Sequence, residues 1–153
     1  MRATDVICPK AKAHRWWTYV EMVAELSATR QPVELWNGEV IMSLSPHPDH
    51  QRMVGSFYKK LDRFVEGQEL GDVFLSPLDV VLTPRRVVQP DVIFNSKARL
   101  GMVKDYIDGF PDLAMEVIPE QSWKRDRIDK KALYEQFGPP EYWIVDSDIL
   151  GIR

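Results

Sequence analysis

Cysteine is almost absent from this sequence. Cys8 stands alone, so no intrachain disulfide can form and no cysteine cluster can hold zinc. Long apolar runs are missing as well: none approaches the ~20 residues that cross a bilayer. The opening MRATDVICPKAKAHRWW lacks the apolar stretch of a secretory leader. These absences lead us to expect a cytoplasmic protein with no membrane partner. Nor is there an excess of positive charge. The formal net charge is −3, which excludes a polyanion binder that is basic all over, so attraction to nucleic acid must come from a local patch. Internal repeats, low-complexity tracts and linkers are also lacking.

What is present is the make-up of one folded domain. At 153 residues, with 44% hydrophobic and 28% charged, the chain can bury an ordinary core. Residues 1–15 are polar and irregular and are expected to form a loosely held arm, with residues 16–153 as the single domain. Apolar positions at Trp16, Trp17, Val20, Val23, Ala24 and Leu26 predict a short helix over 16–26. In VELWNGEVIM, Asn37–Gly38 predicts a hairpin with strands Val33–Trp36 and Glu39–Met42, because both turn residues must take positive φ.

Past the loop SLSPHPD, Asp49 is placed to cap a helix whose apolar face reads Met53, Val54, Phe57, Tyr58, Leu61, Phe64 and Val65, stopped at Gly67. Strands are expected at Val73–Leu75, Leu78–Leu82 and Asp91–Phe94, with a turn at TPRR and Pro90 marking an edge or bulge. An irregular or helical stretch over Lys97–Tyr106 leads to a buried strand at Asp112–Ile118. Trp123–Phe137 reads as the clearest helix, stopped by Gly138 and two prolines, and Glu141–Val145 as a last strand. This order suits an α/β (α+β) domain with a mixed sheet flanked by helices.

Two carboxylates draw attention. Asp91 opens a strand of β-branched and aromatic residues, and Glu116 lies inside the apolar run DLAMEVI. A carboxylate there is costly to bury unless it is paired or binds a cation. Two of them on neighbouring strands can share one Mg²⁺, which wants oxygen ligands and keeps several waters. The plainer alternative is a Glu paired with an Arg or facing solvent. Asp112 is a rival partner, but two residues four apart on one strand lie ~13 Å from each other along it, so Asp91 is the better one.

On the 123–137 helix, positions 123, 126, 130, 133, 134 and 137 share one stripe. Leu133, Tyr134 and Phe137 make that stripe core-facing, so Lys130 lies on the buried side, and Lys131, rotated ~100° away, on the exposed side. A lysine there could stabilise the charge that builds up in phosphodiester cleavage, or simply pair with Asp126. The densest basic stretch, Lys124, Arg125, Arg127, Lys130 and Lys131, is the candidate nucleic-acid contact; an ordinary solvated helix face is the alternative. His47, Asp49 and His50 superficially suggest zinc, but two prolines and the lack of a nearby further ligand argue against it.

The segments VELWNGEVIM, SPHPDHQRMVG, LSPLDVVLTPRRVVQPDVIF, PDLAMEVIPEQS and KRDRIDKKALYEQFGPPEYWIVD together resemble the Uma-two family of restriction-type endonucleases, a branch of the PD-(D/E)XK nuclease superfamily. The resemblance covers most of residues 33–146 in the family's order. It implies a restriction-endonuclease-like core, a mixed four-stranded sheet with a helix on each side. It also implies a Mg²⁺- or Mn²⁺-dependent endonuclease acting on DNA, with Asp91 and Glu116 as acidic metal ligands. Lys130 would be the catalytic cation, in place of the superfamily's usual lysine two residues after the acid, where this chain has Ile118.

Glu39 matches the family's recurrent Gly-Glu and is expected as a further metal ligand. His50 and Asp79 match as accessory residues; a simple register about TPRR would set Asp79 on the face opposite Asp91. Tyr134, Tyr142 and Trp143 also match, and read as core. The sequence departs from the family after Glu116, where Glu120 comes near the expected site, and in ending sooner than members usually do. It is thus expected to be truncated, or to have an edge that a second copy covers in a homodimer. Two other functions stay open: an inactive relative that binds nucleic acid or assembles, and a hydrolase of small phosphate esters.

Overall fold

The computed structural model describes residues 15–29, 31–43, 45–118, 123–138 and 140–146, with the side chains at 123–127 and 129 outside that description. The expected N-terminal arm, apart from Arg15, lies outside it too, as does Glu120.

Helix α1 (Tyr19–Leu26) begins three residues later than the apolar spacing predicts, and its cap explains why. Thr18 Oγ1 accepts from the Glu21 amide while Glu21 Oε2 accepts from the Thr18 amide, a capping box. The two tryptophans therefore precede the helix. Trp17 enters the core and Trp16 remains half exposed. The hairpin of β1 (Val33–Trp36) and β2 (Glu39–Met42) forms as its turn requires, with Asn37 at φ 53° and Gly38 at φ 88°.

Helix α2 (Pro48–Gly67) is capped by His47, not Asp49. His47 Nδ1 accepts from the Asp49 amide, and Pro48 occupies the first turn, where its missing N–H costs nothing. Asp49 is displaced into that turn, where its negative charge suits the helix N-terminus.

Among the described residues nine strands form two sheets. The first has the order β2-β1-β5-β4-β7, with β4 at Val80–Thr83, β5 at Arg86–Val88 and β7 at Ile107–Asp108. The second, β3-β6-β8-β9, contains β3 (Gly71–Leu75), β6 (Val92–Ser96), β8 (Leu113–Ile118) and β9 (Glu141–Asp146). A six-residue 3₁₀ stretch, Lys97–Met102, follows β6. Helix α3 spans Trp123–Phe137 as its pattern predicts.

Strand β5 was not expected. Pro90, which cannot donate to a ladder, lies between two strands of different sheets, and the chain crosses from one sheet to the other there. The second sheet is mixed: β3–β6 and β6–β8 are antiparallel, and β8–β9 is parallel. The fold is thus mixed sheets with flanking helices, and the four-stranded sheet between two helices matches the expected core.

Alternation along β6 and β8 decides what each face meets. Val92, Met115 and Val117 pack with Met53, Val54 and Val65 of α2. Ile93 and Ala114 face the other way, toward Leu133 and Tyr134 of α3 and toward Val80 and Val88 of the first sheet. Glu116, between Met115 and Val117, therefore faces α3. A third cluster, with Trp17, Met22, Val33, Leu35 and Val87, lies between α1 and the first sheet. Among the described residues no helix is long and apolar enough to cross a membrane.

One backbone contact in the second sheet is closer than any side chain allows. A Cβ on Gly71 would fall 2.0 Å from the Asn95 carbonyl oxygen. Gly71→Ala is therefore expected to lower stability by about 2 kcal/mol, read as a reduced urea midpoint; an unchanged midpoint would mean that the β3–β6 ladder yields freely.

Candidate active site

Asp91 immediately precedes β6. Extending the β6–β8 register one residue beyond Val92↔Met115 sets Asp91 opposite Glu116, so the two expected acids come from neighbouring strands at the same end of the sheet. Asp91 Oδ2 accepts from the Val117 amide at 2.8 Å and lies 3.3 Å from His50 Nε2. His50, in the first turn of α2, also places Nε2 3.1 Å from the Val117 carbonyl oxygen. Both neighbours of Nε2 are acceptors, so the proton belongs on Nε2. The Asp91 carboxylate, holding that N–H, raises the imidazole above its ordinary value against the opposing effect of burial.

Glu116 is buried on β8. Its Oε1 receives the Lys130 ammonium at 2.8 Å and the Tyr134 hydroxyl at 3.2 Å, both from α3. Lys130 is itself 9% exposed, and its place on the core stripe of α3 is the one that helical periodicity predicts. Burial pushes the Glu116 carboxyl up to about 8; the Lys130 charge opposes this, and Asp91 and Glu34 add to it. Burial beside Glu116 also drives the Tyr134 hydroxyl well above its ordinary value, so it stays a donor.

A third acid completes the cluster. Glu34 on β1 is 7% exposed, with Oε1 3.5 Å from Lys130 Nζ. The same Oε1 accepts from the Gln89 amide at 2.9 Å, and Oε2 accepts from Trp36 Nε1 at 3.0 Å. Sequence reasoning missed Glu34 although the signal was available: an acid between Val33 and Leu35 in a β-rich run is as costly to bury as Glu116 in its own. The expected Glu39 is elsewhere. It is exposed beside the hairpin turn, paired across the ladder with Trp36, and makes no side-chain hydrogen bond or ion pair with a described residue. The acid that converges on the lysine is the buried Glu of β1, not the exposed Glu of β2.

Asp79 precedes β4 in the first sheet, so the expected register about TPRR does not relate it to Asp91. It joins the site at one remove: Gln89 donates its side-chain amide to Asp79 Oδ1 at 2.7 Å and its main-chain amide to Glu34. Asp112, the rejected rival, is occupied at the far end of β8 by the Ser96 amide and Arg99. The side chains of Lys124, Arg125, Arg127 and Asp126 lie outside the described residues. His47 is exposed against Asp49. Among the described residues no three His, Cys, Asp or Glu side chains converge into a closed metal cage. The acids form an open arrangement, with Lys130 between Glu34 and Glu116.

The raised Glu116 value has a consequence for stability. Between 4.5 and about 8 the folded protein keeps a proton that the unfolded chain has released, so stability falls as pH rises through that window. Glu116→Gln is expected to remove this slope and to be the more stable protein at pH 8. Urea midpoints at pH 5.5, 7 and 8.5 check it, and parallel pH profiles for the two proteins would contradict it.

Residues 17–149 match the Uma2 family, described as "Putative restriction endonuclease". Among solved structures, a crystal structure of "a putative nuclease belonging to DUF820" from Anabaena variabilis ATCC 29413 is similar, with a TM-score of 0.69 and 20% identity over 86% of this chain and 74% of that one. At that identity the likeness speaks for the fold. No curated protein matches the chain.

Proposed function

The chain belongs to the Uma2 family, described as putative restriction endonucleases, and from that premise we propose that it is a metal-dependent endodeoxyribonuclease whose centre is Asp91, Glu116 and Lys130. One observation carries this reading: a buried ammonium, Lys130 Nζ, 2.8 Å from a buried carboxylate on the strand beside Asp91. A purely structural ion pair needs one acid. Here burial first, and then the charges of Asp91 and Glu34, push the Glu116 carboxyl up against the Lys130 charge, and acids outnumber the ammonium they surround. That surplus of negative charge, made of hard oxygen donors, fits a divalent cation.

Asp91 and Glu116 would hold Mg²⁺ or Mn²⁺, which is often bound through one or two carboxylates with several waters retained. Such an ion supplies Lewis-acid polarisation of a phosphoryl oxygen and a lower pKa for water. The chain's own groups do the positioning. The Val117 amide and His50 fix Asp91 through Oδ2, and Oδ1 has no hydrogen-bond partner among the described residues. The Tyr134 hydroxyl orients Glu116 from α3. Lys130 would donate to a non-bridging phosphate oxygen as negative charge grows on it. In the balanced reaction, water adds to phosphorus, the bond to one sugar oxygen breaks, and that oxygen takes a proton. The products are a phosphomonoester end and a hydroxyl end.

The test is cleavage of supercoiled plasmid by the full chain with Mg²⁺ or Mn²⁺ and with EDTA. Nicked or linear product that requires the ion is the expected result. Retention of DNA in a gel shift without cleavage would favour the non-catalytic alternative. Hydrolysis of a chromogenic phosphodiester with plasmid left intact would indicate a small-ester hydrolase.

A further inference from the structure

Asp79 lies outside the acidic cluster and still reaches it through one residue. It is half-buried, with its main-chain carbonyl on the Ile107 amide of β7 and its carboxylate on the Gln89 side chain. A carboxylate only accepts, so Gln89 turns its amide nitrogen to Asp79 Oδ1, at 2.7 Å, and its oxygen away. That oxygen is buried and meets no donor. Among the described residues Asp79 is therefore the only tether of the Gln89 side chain.

Gln89 is also where the chain leaves the first sheet. Strand β5 ends at Val88, Pro90 is fully buried, and Asp91 follows. Proline fixes its own φ and confines the residue before it to extended backbone, so Gln89, Pro90 and Asp91 form one stiff piece. The piece is gripped at both ends. At its start the Gln89 main-chain amide donates to Glu34 Oε1 at 2.9 Å, and at its end the Asp91 carbonyl accepts from the Ser76 amide at 3.1 Å. Pro90, between them, has no N–H with which to add a hold.

We propose that Asp79 is a positioning residue: acting through Gln89, it fixes the stiff segment that sets Glu34 and Asp91 in the acidic cluster. The inference rests on reading that cluster as the active site. Without Asp79 the buried carboxamide would have neither polar atom paired, a cost relieved by turning it toward water. The turn swings the main chain that carries it, and the rigid ring of Pro90 passes the movement on. The Gln89 amide then leaves Glu34, and the Asp91 carboxylate leaves the Val117 amide that holds it at 2.8 Å. A neutral acceptor at position 79 prevents this as well as a charged one, because the task is to hold an N–H.

Amide hydrogen exchange, read by NMR on the full chain in EDTA, tests this. Asp79→Ala is expected to speed exchange at the Gln89 and Val117 amides about tenfold, the scale of one hydrogen bond. Asp79→Asn keeps an acceptor oxygen and should recover most of that protection. The Lys97 amide, which bonds the Leu70 carbonyl at the opposite end of the β3–β6 pair, is the reference and should be unaffected. Unchanged protection at the two amides overturns the proposal. So does an equal loss at Lys97, the mark of general destabilisation, and so does an Asn variant that restores nothing. Should Asp79→Ala fail to fold, Gln89→Met cuts the same tether from its other end; Val117 protection that does not fall in it overturns the proposal too.

Cleavage of plasmid with Mn²⁺ supplies a second arm. In Asp79→Ala kcat should fall about tenfold with KM for DNA held within about twofold, and Asp79→Asn should recover most of the rate. A raised KM with kcat intact overturns the positioning role. Wild type that cleaves nothing overturns the active-site reading alone, since the two amides still decide whether Asp79 holds the segment.

Discussion

Asp91→Asn is expected to reduce metal-dependent DNA cleavage by about a thousandfold, equivalent to about 4 kcal/mol of transition-state stabilisation. The amide keeps an oxygen for the Val117 N–H that Asp91 now satisfies, so the fold is expected to survive. What is lost is the negative charge at the open end of the β6–β8 pair. The same change removes the group that most raises His50, so the imidazole should titrate lower in the variant. The two readouts separate the causes. A lost rate with a lowered His50 value and an unchanged urea midpoint is the signature of a missing charge, whereas a lost rate with a collapsed midpoint would mean a folding defect. Cleavage at the wild-type rate would remove Asp91 from the reaction.

The second large effect is expected at Lys130. Lys130→Ala should lower cleavage by about a hundredfold or more, the scale seen when a donor to developing negative charge is removed. It should also destabilise the protein by about 3–5 kcal/mol at pH 9, because Glu116 and Glu34 would remain buried after losing the ammonium they share. The pH dependence gives the sign. Without Lys130 the Glu116 carboxyl, already held up near 8, rises further. Up to about pH 8 both proteins keep this carboxyl protonated and lose stability in parallel; above it wild type levels off while the variant continues to lose stability. The deficit relative to wild type should therefore stay flat from pH 5.5 to 8 and grow above pH 8. A deficit independent of pH would point to lost packing of the lysine stem instead.

Much of the fold could be read locally, where one residue type forces one geometry. The Asn37–Gly38 turn fixes the hairpin to the residue, and the stripe of α3 marks Lys130 as a buried cation. Asp91 and Glu116 followed from the cost of placing acids in apolar strands. The misses have a common cause. Pro90 was rightly taken as an interruption, but only tertiary structure reveals that the strands on either side of it belong to different sheets. Thr18 and His47 moved helix starts because a side-chain acceptor for a free amide outranks apolar spacing. Glu39 is suggested by a motif match alone, and Glu34 carries no such match. The choice between them depends on which acid α3 approaches, and Lys130 lies far along the chain from both.

Both tethers of the Asp91–His50 pair end on main-chain atoms of residue 117, the amide holding the acid and the carbonyl holding the imidazole. The Val117 side chain meanwhile points away, into the packing beneath α2. Repacking that layer with another aliphatic residue therefore leaves the alignment of the acid intact, since nothing beyond Cα takes part in it. Proline is the exception, as it alone brings no hydrogen on nitrogen to give. The Asp91–His50 alignment is in this way insulated from variation in the side chain at position 117.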